Sequence, residues 1–299
     1  MSTGFYAPQS EDSSPPITLR QAASADAEAC GKICYEAFRD IASRHNFPPP
    51  LPSPEFAAQH LAGAFSHPGM FCVVAEVDGK IVGSNCLDER NPIAGIGPIT
   101  VDPTGQNRTV GRRLMRAVMD RAAQKHFSGV RLVQAAYHNR SLSLYAKLGF
   151  DVREPLSCMQ GPAIGQQTPG YRVRPAAASD ADACNALCRR VHGHDRSGEL
   201  RDAISEGMAV VAETRGRLAA YATGLAFFGH AVAETNEDLQ ALISAAPAFI
   251  GPGILVPSRN AELFRWCLDH GLRVVEPYTL MTVGLYNEPA GAFLPSITY

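Results

Sequence analysis

The stretch that decides the fold is Val-Asp-Pro-Thr-Gly-Gln-Asn-Arg-Thr-Val-Gly-Arg-Arg-Leu-Met, residues 101–115. It predicts a strand that ends near Asp102, then a turn, then a helix whose first turn carries Gly111, Arg112 and Arg113. The first amide groups of a helix have no partner within the helix, and together with the helix dipole they attract an anion. The stretch therefore predicts a phosphate-binding turn.

A second run, Asn-Arg-Ser-Leu-Ser-Leu-Tyr-Ala-Lys-Leu-Gly-Phe (residues 139–150), predicts a short helix that ends at a glycine and leads into a strand. Together the two runs resemble the acetyl-CoA site of the GNAT N-acetyltransferase superfamily. The phosphate loop of that family, Gln/Arg-x-x-Gly-x-Gly/Ala, falls on Gln106, Thr109 and Gly111, so a threonine replaces the middle glycine. If the loop needs a positive φ there, a β-branched residue costs about 1–3 kcal/mol in strain.

The resemblance implies an acetyltransferase that moves an acetyl group from acetyl-CoA to a primary amine by direct attack. It implies that the strand at residues 99–101 polarises the thioester, that the turn holds the pyrophosphate, and that Tyr145 acts as the general acid for the departing thiolate. The cofactor-binding residues implied in this way are Ile99, Thr100, Val101, Gln106, Asn107, Arg108, Thr109, Val110, Gly111, Arg112, Asn139 and Tyr145.

The general base stays open between several residues. Asp88 and Glu89 lie at the end of a predicted strand that opens towards the acceptor side, and His138 directly precedes the helix that begins near Asn139. Any of the three can accept a proton, either directly or through a water. Acidic residues at a strand end are often simply solvated, so a water chain is a further alternative.

An internal repeat predicts two copies of one α/β fold, each a twisted mixed sheet flanked by helices. Residues 17–34 and 171–188 align without a gap, and the match includes an arginine, an aspartate and two cysteines at equal offsets. We therefore predict a disordered start (residues 1–16), a catalytic domain (17–160), a linker (161–170) and a degenerate GNAT-like domain with a C-terminal tail (171–299). The apolar tail should dock in a groove.

The second copy lacks the residues that the first uses for chemistry. Glu234, Glu237 and Asp238 stand where a phosphate loop would be, and their charges would compete with a pyrophosphate for the helix dipole. Trp266 stands near the position that matches Tyr145, and its indole N–H cannot protonate a thiolate at neutral pH. We expect no coenzyme A in this copy.

Composition limits the partners. The chain has 299 residues, 45% of them hydrophobic, and a formal net charge of -2, with no long run of one sign. We therefore expect neither a nucleic acid nor a membrane as partner, and the polar start without an apolar run predicts a cytoplasmic protein. The eight cysteines form no Cys-x-x-Cys pair, and His192-Gly-His194-Asp195 lacks a further ligand nearby in sequence, so we predict no metal.

The acceptor is a small-molecule or peptide amine on this interpretation. Its specificity should come from His45, Phe47 and the prolines that follow them, with Glu36 and Asp40 on the preceding helix. Two other functions stay open: a non-catalytic sensor of acetyl-CoA or another small ligand, and an interaction scaffold. A homodimer also stays open, since the sequence does not say whether the tail docks on its own chain.

Overall fold

The computed structural model describes residues 16–105 and 109–298. Its first half contains strand β1 (Ile17–Gln21), helices α1 (Ala27–Arg44) and α2 (Pro54–Ser66), strands β2 (Met70–Val77), β3 (Lys80–Asp88), β4 (Ile93–Ile96) and β5 (Thr100–Val101), helix α3 (Val110–Gln124), strand β6 (Gly129–Ala135), helix α4 (Asn139–Lys147) and strand β7 (Asp151–Gln160). Apolar periodicity and turn residues predict this order, and the ends differ by only a few residues.

The strand predicted to end near Asp102 is divided in the structure at Gly97, Pro98 and Ile99. Proline has no amide hydrogen for a ladder, and Gly97 has a φ of 143°, which favours glycine. Before the break, β4 runs parallel to β6, and the register ends where Gly95 faces Arg131. After the break, β5 pairs with β3. The sheet therefore opens between β5 and the later part of β6.

The second half repeats the same pattern of elements. It contains β8 (Tyr171–Pro175), α5 (Ala181–His192), α6 (Ser197–Ser205), β9 (Val210–Thr214), β10 (Arg217–Ala222), β11 (Ala231–Ala233), α7 (Asn236–Ala245), β12 (Ile254–Pro257), α8 (Ala261–Asp269), β13 (Arg273–Gly284) and β14 (Ala292–Leu294). The smaller sheet has the order β14-β11-β10-β9-β8. The apolar tail docks on its own chain, as β14, which pairs with β11.

The strand that follows α4 does not close the first sheet next to β6. Instead, β13 lies between β6 and β7 and is antiparallel to both. On its other edge β7 pairs with β12, so the larger sheet has the order β1-β2-β3-β4-β6-β13-β7-β12, with β5 added on β3. Strands from the segment 171–299 thus complete the sheet of the first half. The predicted boundaries at residues 160 and 170 follow the repeat in the chain, whereas the sheets cross them.

The repeated sequence forms the same ion pairs in both halves. Arg20 contacts Asp26 at 2.6 Å, and Arg174 contacts Asp180 at 2.7 Å. Each aspartate also accepts a hydrogen bond from the backbone amide three residues before it, which caps the start of the first helix. The guanidinium of Arg20 lowers the pKa of Asp26. The equivalent geometry supports an origin of the two halves in one fold.

Helices cover both faces of the larger sheet. On one face α3 packs through Leu114, Met115 and Val118, and on the other α1 and α2 enclose Cys30, Cys34 and Leu61. A further apolar cluster joins the two halves and includes Phe227 and Tyr278. Among the helices of residues 16–105 and 109–298, none has the length and apolar character needed to cross a membrane.

The cysteines are buried throughout. Six of them are free thiols within the core, as small apolar side chains often are. The other two, Cys72 and Cys86, face each other across β2 and β3 with a Cα–Cα distance of 4.1 Å and form a disulfide.

Candidate active site

One cavity of about 850 Å³ lies where the larger sheet opens. Its walls come from the ends of α1 and α2, the divided strand β4–β5, the start of α3, the end of β6 and helix α4. It brings together nearly all of the residues predicted for the cofactor, namely Ile99, Thr100, Val101, Thr109, Val110, Gly111, Arg112, Asn139 and Tyr145. The predicted residues Gln106, Asn107 and Arg108 lie outside the described residues.

The strand β5 exposes backbone amides to this cavity. Asp102 donates its amide hydrogen to the carbonyl of Val82 on β3, so the amide of Thr100, two residues earlier, points the same way. The amides of Ile99 and Val101 alternate with these and therefore point away from β3, towards the gap. These amides could hold a polar chain or polarise a carbonyl group lying in the opening.

Helix α3 presents its N-terminus to the same cavity. Its first intrahelical hydrogen bond runs from the amide of Arg113 to the carbonyl of Thr109, so the preceding amides lack helical partners. A Cβ added at Gly111 would contact Val101 and Leu144 at 3.7 and 3.8 Å, which leaves room for a methyl group but for little more. Arg112 lines the cavity, whereas Arg113 donates to the carbonyl of Ile17 and points elsewhere. The arrangement suits a bound phosphate.

Thr109 has a φ of 62° and a ψ of 3°, which is the left-handed helical region. The positive φ that would make a β-branched residue costly at this position is therefore present. The side chain of Thr109 makes no capping hydrogen bond to α3. The replacement of the family's middle glycine is thus a source of backbone strain within the loop.

Tyr145 lies on α4, where it lines the cavity and also packs into the core. Only 6% of its surface is exposed, and its ring makes an edge contact with Phe150 at 6.2 Å between centroids. Burial raises the pKa of the Tyr145 phenol. A neutral phenol at the edge of a cavity can donate a proton or a hydrogen bond to an anion that forms there.

Asp88 and Glu89 are not among the described residues that line the cavity. Each is paired with an arginine: Asp88 contacts Arg90 at 2.6 Å, and Glu89 contacts Arg121 at 2.6 Å. The end of β3 turns these carboxylates towards basic side chains rather than towards the opening of the sheet. The sequence alone could not reveal the pairing of Glu89 with Arg121, because the two residues are far apart in the chain.

His138, the third candidate base, does line the cavity. Burial lowers the pKa of this imidazole, and the charge of Arg140 and the nearby His45 lower it further. At neutral pH the ring is therefore uncharged and able to accept a proton. It stays a candidate on geometry.

The acceptor end of the cavity contains residues of both halves. Asp40 and His45 line it, whereas Glu36 and Phe47 do not. Phe47 instead stacks on Tyr137, a lining residue, at 4.4 Å between ring centroids. The sequence reasoning missed the contribution of the second half, which consists of Phe227, Phe228, Tyr278, Ile297 and Thr298.

Phe228 illustrates how the second half reaches the site. Its ring lies 4.6 Å from that of His60 on α2 and contacts the ring of Phe227 edge-on. The amide of Ile297 in the tail donates to the carbonyl of Phe227, which fixes the tail against this loop. The adjacent pair Phe227-Phe228 between β10 and β11 is visible in the sequence, but nothing local indicates which residues it would contact.

The equivalent place in the second half is closed to an anion. The hydroxyl of Thr235 accepts from the amide of Asp238, and the Asp238 carboxylate accepts from the amide of Thr235, so the start of α7 is capped by its own side chains. Glu234, just before it, pairs with Arg190 and Arg217. Trp266 stacks on His270 at 4.1 Å. These contacts agree with the expectation that this copy does not bind coenzyme A.

Metal binding has no support in the part of the chain that the structure describes, where no group of three or more His, Cys, Asp or Glu side chains could hold an ion. His192 and His194, singled out in the sequence, are instead buried between the halves. The ring of His194 lies 3.3 Å from the guanidinium of Arg131 on β6.

Comparisons with known proteins agree with this geometry. Residues 35–150 match the model of the acetyltransferase (GNAT) family. No curated protein matches the chain. Among solved structures, the chain is similar to a putative acetyltransferase from Pyrococcus horikoshii, with a TM-score of 0.71 and 17% identity, over 97% of this chain and 98% of that one.

Two further structures share the arrangement. A GCN5-related N-acetyltransferase from Sphaerobacter thermophilus has a TM-score of 0.61 and 15% identity, over 91% of this chain and 96% of that one. A tandem GNAT protein from the clavulanic acid biosynthesis pathway has a TM-score of 0.53 and 13% identity, over 90% of this chain and 98% of that one. At such identities the likeness concerns the fold, and it confirms the predicted twisted mixed sheets flanked by helices.

Proposed function

Because residues 35–150 match the model of the GNAT acetyltransferase family, we propose that the cavity is a site of acetyl transfer from acetyl-CoA to an amine. One observation carries the proposal. A single cavity is lined by the N-terminus of α3, by β5 with the residue before it, and by the face of α4 that carries Tyr145. These are the groups that a pyrophosphate, a thioester and a leaving thiolate each require.

The residues fit the cosubstrate at each point along the cavity. The amides at the start of α3 donate to a diphosphate, and Arg112, which lines the cavity, supplies a positive charge. The amide of Val101 donates to the thioester carbonyl and stabilises the negative charge that develops on its oxygen. When bound, acetyl-CoA supplies an acetyl group activated as a thioester. Asn139, at the start of α4, reaches the same cofactor from the opposite wall.

Tyr145 serves as the general acid in this proposal. The nitrogen of a neutral amine forms a bond to the acetyl carbon, the carbon–sulfur bond breaks, and Tyr145 gives its proton to the departing sulfur. Burial keeps the phenol protonated at neutral pH, because it raises the pKa of Tyr145. The acylated nitrogen loses its remaining extra proton to solvent as the amide forms, and the phenol regains a proton from solvent, so this step releases no net proton.

The acceptor on this proposal is a small amine with an apolar body. The acceptor end is walled by aromatic and aliphatic side chains, among them Leu51, Phe227, Phe228 and Ile297. A cavity of about 850 Å³ that must also admit the end of the cofactor has the size of a small-molecule site. A peptide N-terminus with an apolar first residue would fit the same description.

The proposal is tested by following thiol release from acetyl-CoA over a panel of aromatic and aliphatic amines, with wild type and Tyr145→Phe. We expect Tyr145→Phe to lower kcat by roughly 100-fold or more, which is typical of a lost general acid. The KM for acetyl-CoA should change little, because the phenyl ring keeps its packing against Phe150. Tight binding of acetyl-CoA with no thiol release on any amine would instead favour a sensor.

A further inference from the structure

Glu276 is a carboxylate with no charged partner among residues 16–105 and 109–298, and it is buried behind the acceptor end of the cavity. It lies on β13, next to a bulge between Val274 and Glu276 in the pairing with β7. Its side chain is fully buried, at 0% exposure, on the same face of the strand as Tyr278. Tyr278 donates a hydrogen bond to Oε2, whereas Oε1 has no hydrogen bond of good geometry.

The groups that face Glu276 are Tyr278 on its own strand, Cys158 on β7 and Tyr137 in the turn before α4. All three are uncharged at neutral pH. Burial raises the pKa of Glu276, and the hydroxyls of Tyr278 and Tyr137 partly offset that rise. Carboxylates without a counter-charge are rarely buried. One that is buried beside a cavity is therefore a candidate functional group.

Tyr137 connects this carboxylate to the cavity. It lines the cavity, and its hydroxyl lies close enough to Glu276 for the two groups to shift each other's pKa. Its ring is held from the other side by Phe47, stacked at 4.4 Å. The amide of Ala136 donates to the carbonyl of Pro277 at 2.9 Å, which fixes the turn against β13. Tyr137 is thus positioned between the acceptor space and Glu276.

We infer that Glu276, acting through the hydroxyl of Tyr137, takes the proton that the acceptor amine loses. The acceptor is accordingly a compound that arrives as an ammonium ion and carries an apolar body against Phe227 and Phe228. The inference rests on the proposed acetyl transfer and adds the proton acceptor that it lacks. Tyr137 would touch the substrate, and Glu276 would act through it.

The protons balance over one cycle. As the ammonium group gives a proton to the Tyr137 oxygen, the hydroxyl proton of Tyr137 moves to Oε1 of Glu276. Tyr137 ends neutral, Glu276 ends as a neutral acid, and the amine is free to attack the thioester. Glu276 returns its proton to solvent by the same path once the amide product has left.

The geometry favours Glu276 over the other carboxylates near the end of the cavity. Asp88 and Glu89 are both paired with arginines and do not line the cavity. Asp40 does line it, but its carboxylate is paired with Arg44 at 2.9 Å.

The competing groups are two histidines that line the same space: His138, beside Tyr137 in the chain, and His45, whose ring centroid lies 5.3 Å from that of Tyr137. An experiment must therefore separate Glu276 from both histidines.

The first test measures acetyl transfer from acetyl-CoA to 2-phenylethylamine between about pH 5.5 and 9, with thiol release as readout. Glu276→Gln keeps the shape of the side chain and removes its basicity. It should lower kcat/KM for the amine by roughly 100-fold or more and abolish the acidic limb of the pH profile. Glu276→Asp should restore part of the rate, and the affinity for acetyl-CoA should not change in either variant.

The second test moves the acidic limb instead of removing it. The hydroxyl of Tyr278 lowers the pKa of Glu276 by stabilising the charged form. In Tyr278→Phe that stabilisation is lost, so the limb should move to higher pH. In His138→Gln and in His45→Gln the limb should keep its position. A purely structural role for Glu276 would lower stability but would leave the limb in place.

The outcomes separate this inference from the proposed function. A wild type that acetylates the amine, with a Glu276→Gln variant of the same rate and pH profile, would overturn the inference and leave the transferase intact. Loss of the limb in His138→Gln would assign the proton to the histidine and would also overturn it. A wild type that transfers no acetyl group to any amine would remove the proposed function and the inference together.

Discussion

Thr109 is the residue at which this chain departs most from the resembled phosphate loop, and the departure has a physical cost. A φ of 62° is common for glycine and tolerated by asparagine, but it crowds a β-branched side chain. The strain lies directly at the start of α3, where the proposed diphosphate would bind. Strain at such a position is often stored at functional sites.

Replacing Thr109 by asparagine should therefore stabilise the protein. We expect Thr109→Asn to raise the free energy of unfolding by about 1 kcal/mol, because asparagine adopts positive φ more readily. Thr109→Val is the matched control, since it keeps the β-branch and should give no gain. Urea unfolding monitored by circular dichroism measures both. A Thr109→Asn protein no more stable than Thr109→Val would contradict the strain argument.

Tyr145 combines two roles that the sequence presents as alternatives. It belongs to the apolar cluster under α3 and also lines the cavity. Its place beside the proposed cofactor could be predicted from sequence, because residues 139–150 form one continuous motif. The proposed proton acceptor could not be predicted from the sequence. Tyr137 and Glu276 are far apart in the chain, and only the position of β13 in the sheet brings them together.

At the scale of elements, α3 and α7 occupy equivalent positions in the two halves, but the amides at their N-termini have different surroundings. The amides at the start of α3 are open to the cavity, whereas Thr235 and Asp238 cap α7. The acidic residues of the second copy were visible in the sequence, and their effect on an anion followed from charge alone. The capping geometry gives that expectation a structural cause.

Removing the cap of α7 should cost stability without affecting the cofactor. Thr235→Ala loses the hydroxyl that accepts from the amide of Asp238, so we expect a loss of about 1 kcal/mol in the free energy of unfolding. Thr235→Ser keeps the hydroxyl and should be close to wild type. Thermal unfolding measures the difference, and acetyl-CoA titration should be the same for all three proteins. Weaker acetyl-CoA binding in Thr235→Ala would contradict the claim that α7 takes no part in binding the cofactor.

Most helices and strands could be predicted from local sequence patterns. The pairing of strands within the sheets could not. The hairpin of β2 and β3 is marked by Asp78-Gly79, a strong short-range turn signal. The division into β4 and β5 could not be predicted, because the apolar pattern continues through Gly97 and Pro98, whereas the regular strand conformation is interrupted there. A periodic pattern identifies a strand but does not say which strand lies beside it.

At the scale of the molecule, the two halves share one sheet and one site. β13 separates β6 from β7, so the segment after residue 170 supplies a strand to the sheet that carries the cavity. It also supplies Phe227, Phe228 and Tyr278 to the cavity wall. No local feature of the sequence encodes such an exchange, because it depends on contacts between residues more than a hundred positions apart.

Three buried histidines, of which His194 contacts Arg131 of the first half, should make stability depend on pH. Burial and the charge of Arg131 hold the pKa of His192 well below its usual range and that of His194 at about 4, and burial also lowers the pKa of His230. These rings are neutral when folded but bind protons when unfolded below about pH 6.5. Their contribution is complete above that pH and is lost as the pH falls from about 6.5 towards 4.

Each such histidine adds about 1.4 kcal/mol per pH unit to the slope of the unfolding free energy in this window. His194→Asn should reduce the slope by about that amount, because it removes one of the titrating groups. Urea unfolding at several pH values measures the slope, and a series above pH 7.5 is the control in which the two proteins should show equally flat profiles. Parallel slopes from pH 6.5 to 4 would contradict the assignment.

The measurement that tests the central claim most directly is calorimetric titration of acetyl-CoA into wild type, Gly111→Glu and Gly111→Ala. The account predicts one site per chain. It is lost in Gly111→Glu, because the side chain is too large for the space beside Val101 and Leu144 and brings a negative charge next to the phosphate position, and it is kept in Gly111→Ala, because a Cβ fits there at 3.7 Å from Val101. Two sites per chain would contradict the claim that only the first half binds the cofactor. Binding that persists in Gly111→Glu would contradict the location of the site.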